Sequence, residues 1–229
     1  MLTLLLATRN AHKVGEIRAI LGDGIRYLTL NDFPDAPRVL EDADTFAENA
    51  VKKAVELARW TSEVRGSKCE VAEKDSFLVL ADDSGLEVDA LNGAPGVHSA
   101  RFAAQDSGRP GNSTDAENSA KLLRLLRAVP AEKRTARFRC VVALTPVIRG
   151  RIETASPVCY ADEFALQTRV FDGACEGRIG FELRGQRGFG YDPLFIPTGF
   201  AQAFAELGDD VKNTLSHRSK ALARMKEAL

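Results

Sequence analysis

In the segment LADDSGL an apolar run, Phe77 to Ala81, ends in two adjacent acids, Asp82 and Asp83, followed by Ser84 and Gly85. Hard carboxylate oxygens suit a divalent cation such as Mg²⁺, and clustered negative charge suits a base that takes a proton from water. A turn in which Asp83 or Ser84 caps nearby backbone donors would use the same residues, and the segment alone leaves both readings open. Glu48 is already explained by a capping box with Thr45, and Glu41 and Asp42 sit in a polar loop where solvation accounts for them.

Cations are spread along the chain: Arg9 and Lys13 near the start, Lys52 and Lys53 in the middle, Lys212, His217 and Arg218 near the end. Taken singly, each is a solvated surface charge. Converging on one cleft with Asp82 and Asp83, they would make a polyphosphate site in which a metal bridges phosphate to carboxylate. GFGYDPLF adds flexible backbone at Gly188 and Gly190 and aromatic faces at Phe189 and Tyr191, suited to stacking on a nucleobase. The same segment also reads as a turn entering a strand at Leu194 to Ile196, with Pro193 forcing Asp192 into an extended conformation. There is no GxxxxGK[ST] loop, no complete GxGxxG, no GxSxG elbow and no HExxH pair, and the three histidines, His12, His98 and His217, lack ligand spacing.

Several elements must position these groups. The run Leu2 to Ala7 predicts a buried strand, and Asn10 an N-cap for a helix over Ala11 to Leu21. Thr45 to Trp60 reads as a helix opened by the Thr45/Glu48 box, and Phe77 to Ala81 as a strand carrying its acids at the carboxyl end, where open α/β sheets bind ligands. Gln105 to Asn112 is a loop, and Thr114 with Glu117 caps a further helix. Strands are expected over 136–145 and 156–171, glycine-rich loop over 173–190, and a last helix over Ser216 to Glu227.

The 229 residues carry 31 Lys and Arg against 32 Asp and Glu, a net charge of −1, which argues against duplex nucleic acid or an anionic membrane as the main partner. A chain this long buries on the order of 70% of its unfolded surface and needs no disulfide or metal staple. Cys69, Cys140, Cys159 and Cys175 contain no CxxC pair and read as reduced thiols of a cytoplasmic protein; MLTLLLATRN fits neither a secretory signal nor a membrane span. No repeat or linker divides the chain, so a single α/β unit is expected.

Together, LLATRNAHKVGEI, EDADTFAENAVKKA, LADDSGLEVDAL, GAPGVHSARFA, RFRCVVAL, RGFGYDPLF and AELGDDVKNTLSHRSKAL resemble, in order and over residues 2–222, the inosine triphosphate pyrophosphatase family, also called the Ham1 or RdgB-like dITP/XTP pyrophosphatases. The resemblance implies an elongated mixed β-sheet with flanking helices in an α/β fold. It also implies two lobes around a central cleft, one of about 1–95 with 190–229 and the other of about 96–189, and a homodimer. The implied reaction is Mg²⁺-dependent hydrolysis of ITP, dITP or XTP to the monophosphate and pyrophosphate, which cleans the nucleotide pool.

Carried over position by position, the resemblance makes Thr8, Arg9, Asn10, Ala11, His12 and Lys13 a phosphate-contacting turn. Glu41 resembles a metal ligand, and Asp83 both a metal ligand and the proton acceptor for the attacking water. Ser84 resembles a substrate contact, Phe189, Gly190, Tyr191 and Asp192 a base-recognition loop, and Lys212, His217 and Arg218 substrate contacts; Lys53 and Glu48 take supporting roles. Four departures stand out: Arg9 and Ala43 where the family has glycine, His98 where tyrosine is common, and a long polar stretch over 63–75, read as a surface loop. Two other functions compete: a pyrophosphatase of related architecture acting on modified pyrimidine nucleotides, whose motifs are absent, and a silent nucleotide sensor, which would be expected to lack one of the acids present here.

Overall fold

The computed structural model describes residues 1–64, 76–106, 108, 110–148 and 162–228. The chain enters strand β1, Leu2–Leu6, turns into helix α1, Ala11–Leu21, and returns as β2, Ile25–Thr29. Helix α2, Phe46–Val64, precedes β3, Ser76–Val88; α3, Asp115–Leu125, precedes β4, Thr135–Pro146. A short α4, Glu163–Leu166, leads into β5, Arg169–Ile179, and β6, Phe195–Pro197, is followed by α5, Phe204–Leu207, α6, Asp209–Leu215, and α7, His217–Glu227. The six strands form one mixed sheet in the order β2-β1-β3-β4-β5-β6. β1 runs parallel to both neighbours, with Leu6 opposite Thr29 and Leu80, whereas β5 and β6 are antiparallel. Leu4, Leu5 and Leu6 are fully buried, as a parallel strand covered on both faces requires.

Contacts group the chain into two compact units: Met1–Asp83 with Val141–Phe171 and Met225–Leu229, and Ser84–Cys140 with Asp172–Arg224. The lobes drawn from the sequence divide the chain differently, because 190–224 groups with 84–140 and 141–171 groups with the N-terminal residues. The boundaries fall inside β3, β4, β5 and α7, not in the loops where a composition shift would reveal them. In the first unit, α2 buries Phe46, Ala50, Ala54, Leu57 and Ala58 along one stripe. In the second, Phe195 packs between Phe138, 4.7 Å away centroid to centroid, and Phe204, at 5.3 Å, in a cluster that includes Leu86, Leu122 and Tyr191.

Three local expectations are corrected. β3 does not stop at Ala81 but continues through both aspartates to Val88; what stops beside them is β1, whose pairing with β3 ends at Leu80. Within the expected strand 156–171, residues up to 161 lie outside the described ones, and Glu163–Leu166 is helical because Asp162 Oδ1 accepts from Phe164 N at 3.1 Å. The start of the expected glycine-rich loop is strand instead: Gly173 and Gly177 lie in β5, where neighbouring backbone approaches too closely for a side chain. Apart from its first two residues, the stretch 63–75 lies outside the described residues.

Arg134 joins three elements of the second unit. Its Nε donates to Val129 O (3.0 Å), Nη1 to Gly180 O (2.8 Å) and Nη2 to Leu126 O (2.6 Å), tying the segment after α3 to the end of β5. Arg134→Met strands these buried acceptors, so urea unfolding should show a loss of about 2–4 kcal/mol; a loss below about 1 kcal/mol would mean that water replaces the guanidinium.

Candidate active site

The first unit gathers acids and lysines where β1 ends. Asn10 caps α1, its Oδ1 accepting from His12 N at 2.9 Å and Lys13 N at 3.3 Å, while Thr8 Oγ1 accepts from Asn10 N. The cap fixes the turn that sends Lys13 toward β3, where its Nζ lies 3.1 and 3.0 Å from the two carboxylate oxygens of Asp82. From α2, Lys53 Nζ donates to Asp82 O at 2.9 Å and pairs with Glu41 Oε1 at 2.8 Å. Asp82 and Asp83 are only 3% and 6% exposed.

The electrostatics of this cluster are unbalanced. Burial pushes the Asp83 carboxyl up, Lys53 pulls it back, Glu41 pushes it up again, and Lys13 and a hydrogen bond from Asn49 pull it down; it settles at about 6. For Lys53, burial works against the charge, but Glu41, Asp82 and Asp83 together hold the ammonium above its ordinary value. Lys53 and Lys13 thus offset only part of the burial and like-charge penalty on Asp83.

Among the described residues no three His, Cys, Asp or Glu side chains form a closed metal cage. Glu41 and Asp83 instead offer the open, oxygen-only set that suits Mg²⁺, which commonly takes one or two carboxylates and completes its shell with water and phosphate. The unbalanced negative charge fits such an ion.

In the second unit, Arg218, 1% exposed, donates from Nη2 to Ser84 Oγ at 3.0 Å. The His217 ring lies on that of Phe138, with centroids 4.8 Å apart and planes 14° from parallel. Lys212 Nζ pairs with Asp192 Oδ2 at 2.6 Å, the same oxygen accepts from Phe189 N at 2.9 Å, and the ammonium sits 4.6 Å from the centre of the Phe189 ring. Gly188 has φ +75°, and a Cβ there would strike Asp192 Oδ2 at 2.1 Å, so the turn requires glycine. Gly190 N donates to Asp115 Oδ2 at 2.6 Å.

Each expected site residue therefore has a place. Thr8 to Lys13, Glu41 and Asp83 belong to the first unit, and Ser84, Phe189 to Asp192, Lys212, His217 and Arg218 to the second; the chain passes between units at the Asp83–Ser84 peptide bond. One aromatic side chain is placed otherwise than expected, and two residues of the first turn have local partners. Tyr191 offers no stacking face: it is buried in the core, its hydroxyl donates to Ser99 O at 2.9 Å, and burial raises its pKa, leaving Phe189 as the half-exposed ring. Asn10 Oδ1 serves the helix cap. Arg9 Nη2 reaches Ala36 O at 3.4 Å. Lys52 pairs with Asp42 in the open, and Glu48 bonds Thr45, as solvation and capping predict.

Sequence reasoning missed Asn49. Buried on α2, it accepts from Ala43 N at 3.0 Å and donates to Ala43 O at 3.3 Å, fixing the loop after Glu41, and it also bonds Asp83. Its signal was present: Asn49 and Lys53 are polar residues four apart on the apolar stripe of a helix, where a polar side chain needs a specific partner.

Comparison with known proteins places these residues in a family. The Ham1 family model matches residues 4–228. A dITP/XTP pyrophosphatase of Desulforamulus reducens is 47% identical over 227 residues, 99% of this chain and 94% of that protein. One from Geobacillus kaustophilus is 43% identical, covering 99% and 94%. Among solved structures, a HAM1 protein from Coxiella burnetii superposes with a TM-score of 0.74 at 34% identity, over 100% of this chain and 98% of that one. A nucleoside-triphosphatase, dITP/XTP pyrophosphatase, from Mycobacterium abscessus gives 0.66 at 35% identity, over 97% and 98%.

A carboxyl whose pKa is raised on folding binds protons more tightly in the native state. The metal-free protein should therefore lose up to about 3 kcal/mol of stability as pH rises from about 4 to about 6, and regain it on acidification. Asp83→Asn should abolish that slope and raise the thermal midpoint in chelator at pH 7. A variant less stable than the parent there would mean that Asp83 is a net structural support.

Proposed function

The chain belongs to the Ham1 family, and from that membership we propose that it hydrolyses deaminated purine nucleoside triphosphates, ITP, dITP and XTP, to the monophosphate and pyrophosphate. The observation that carries the reading is the first unit's cluster: a buried carboxylate poised near neutrality beside two lysines held by acids. A silent sensor would not need such a base.

Asp83 accepts a proton from water as the water oxygen attacks the α phosphorus; the bond from that phosphorus to the bridging oxygen breaks, and pyrophosphate departs with the electron pair. In the metal-free protein its pKa of about 6 leaves it ionised at neutral pH. Lys13 and Lys53, already aimed at this point by Asp82 and Glu41, neutralise charge gathering on the leaving pyrophosphate. Glu41 and Asp83 would hold Mg²⁺, which when bound polarises the phosphate chain. The turn of Thr8, Arg9, Asn10, Ala11, His12 and Lys13 takes phosphate, with Arg9 an added cation.

In the second unit, Ser84 contacts substrate, and Phe189 stacks on the base. Main-chain groups of Phe189, Gly190, Tyr191 and Asp192, together with His217 and Arg218, read the 6-keto edge, which the amino group of ATP cannot satisfy. Leaving polar groups unpaired in this way can reject a substrate by roughly 10⁴-fold. Lys212 holds Asp192 and with it the loop. The family resemblance supports a homodimer and a site of action in the cytoplasm; among the described residues no helix is long and apolar enough to cross a membrane.

Pyrophosphate release from ITP, XTP, GTP and ATP, measured with and without Mg²⁺, tests the reading: rapid release from ITP and XTP and little from ATP is expected, and equal rates on all four would refute it. Asp83→Asn should cut kcat by about 10³-fold or more with its fold intact; near-normal turnover would remove Asp83 from the base role.

A further inference from the structure

Gly173 lies in β5 with no positive φ, so conformational freedom does not explain the glycine; space does. A Cβ there would lie 2.2 Å from the His217 carbonyl oxygen and 2.6 Å from the Ala221 amide nitrogen. Four residues apart, these are the acceptor and donor that close the first turn of α7. Main-chain atoms in a hydrogen-bonded turn cannot swing aside as a side-chain tip can, so any larger residue must displace the turn itself. The seam is also held from the helix side. Lys220 Nζ donates to Ala174 O at 2.8 Å, and Arg224 Nη1 donates to Asp172 O and Oδ1 at 2.8 and 2.7 Å. The displaced turn would carry His217, whose ring rests on Phe138, and Arg218, whose guanidinium reaches Ser84.

We propose that Gly173 is a positioning residue: by letting the first turn of α7 rest directly on the backbone of β5, it sets where His217 and Arg218 stand and so governs discrimination between 6-keto and 6-amino purines. The inference depends on the assignment of His217 and Arg218 to base recognition. Gly173 touches no substrate and acts only through α7. Lys13, Asp83 and Lys53 take no part in the seam, so its loosening should act on base selection more than on turnover. A misplacement on the order of 1 Å can cost about 10²-fold in a well-oriented site.

With Mg²⁺ present, Gly173→Ala should raise KM for ITP more than it lowers kcat and reduce the ITP-to-ATP ratio of kcat/KM by about tenfold or more. The double variant Lys220→Met/Arg224→Met weakens the seam at exposed positions without adding volume, and should lower the ratio about threefold. A folded Gly173→Ala enzyme with an unchanged ratio overturns the proposal. If Gly173→Ala does not fold, an unchanged ratio in the double variant overturns it equally. Arg218→Ala, assayed in parallel, separates the two levels: parental discrimination there refutes the base-recognition assignment, whereas lost discrimination alongside an unaffected seam refutes only the role of Gly173.

Discussion

Incomplete neutralisation of buried carboxylates is the constraint around which the first unit is arranged. Asp82 and Asp83 are placed out of water on a central strand, and such charges persist only when paired or neutralised by protonation. Asp82 has Lys13 at two oxygens and Lys53 at its carbonyl; Asp83 is left with partial compensation and its pKa raised to about 6. The surrounding parts can be understood as the means of holding this imbalance. The Asn10 cap aims Lys13, the apolar stripe of α2 submerges Asn49 and Lys53, and Asn49 grips the loop that carries Glu41. A cluster satisfied by its own lysines would bind no cation and offer no base.

The second unit buries charge with closer local partners. Lys212 and Asp192 neutralise each other in the interior, and Arg218 is buried with a hydroxyl at its tip. Buried pairs of this kind contribute little net stability, but they define one arrangement sharply. Under the proposed function, such definition would suit a surface that tells a carbonyl from an amine, and residual charge one that binds a metal and phosphate.

Much of this was legible in the residues. The caps at Asn10, Thr45 and Thr114 depend on local hydrogen bonds within a few positions, and α1, α2 and α3 begin where those signals place them. Asp82 and Asp83 also stood out as adjacent acids closing an apolar run, and the structure buries both. Obscured were features set by distant partners. That β1 ends beside the aspartates while β3 runs on is a matter of register between segments about 75 positions apart. Tyr191 has the composition of a stacking residue, and only the packing of Leu86, Leu122 and Phe195 claims it for the interior. Gly173 and Gly177 look like loop residues until the backbone lying against each is known.

The clamp on Asp192 has a thermodynamic corollary. Because Lys212, the Phe189 amide and the turn at Gly188 immobilise this carboxylate within the folded protein, the ordering entropy of the segment is taken up when the chain folds and not when a nucleotide arrives. Under the proposed function, an edge ordered in this way would meet a nucleotide already shaped, with its selectivity set when the chain folds.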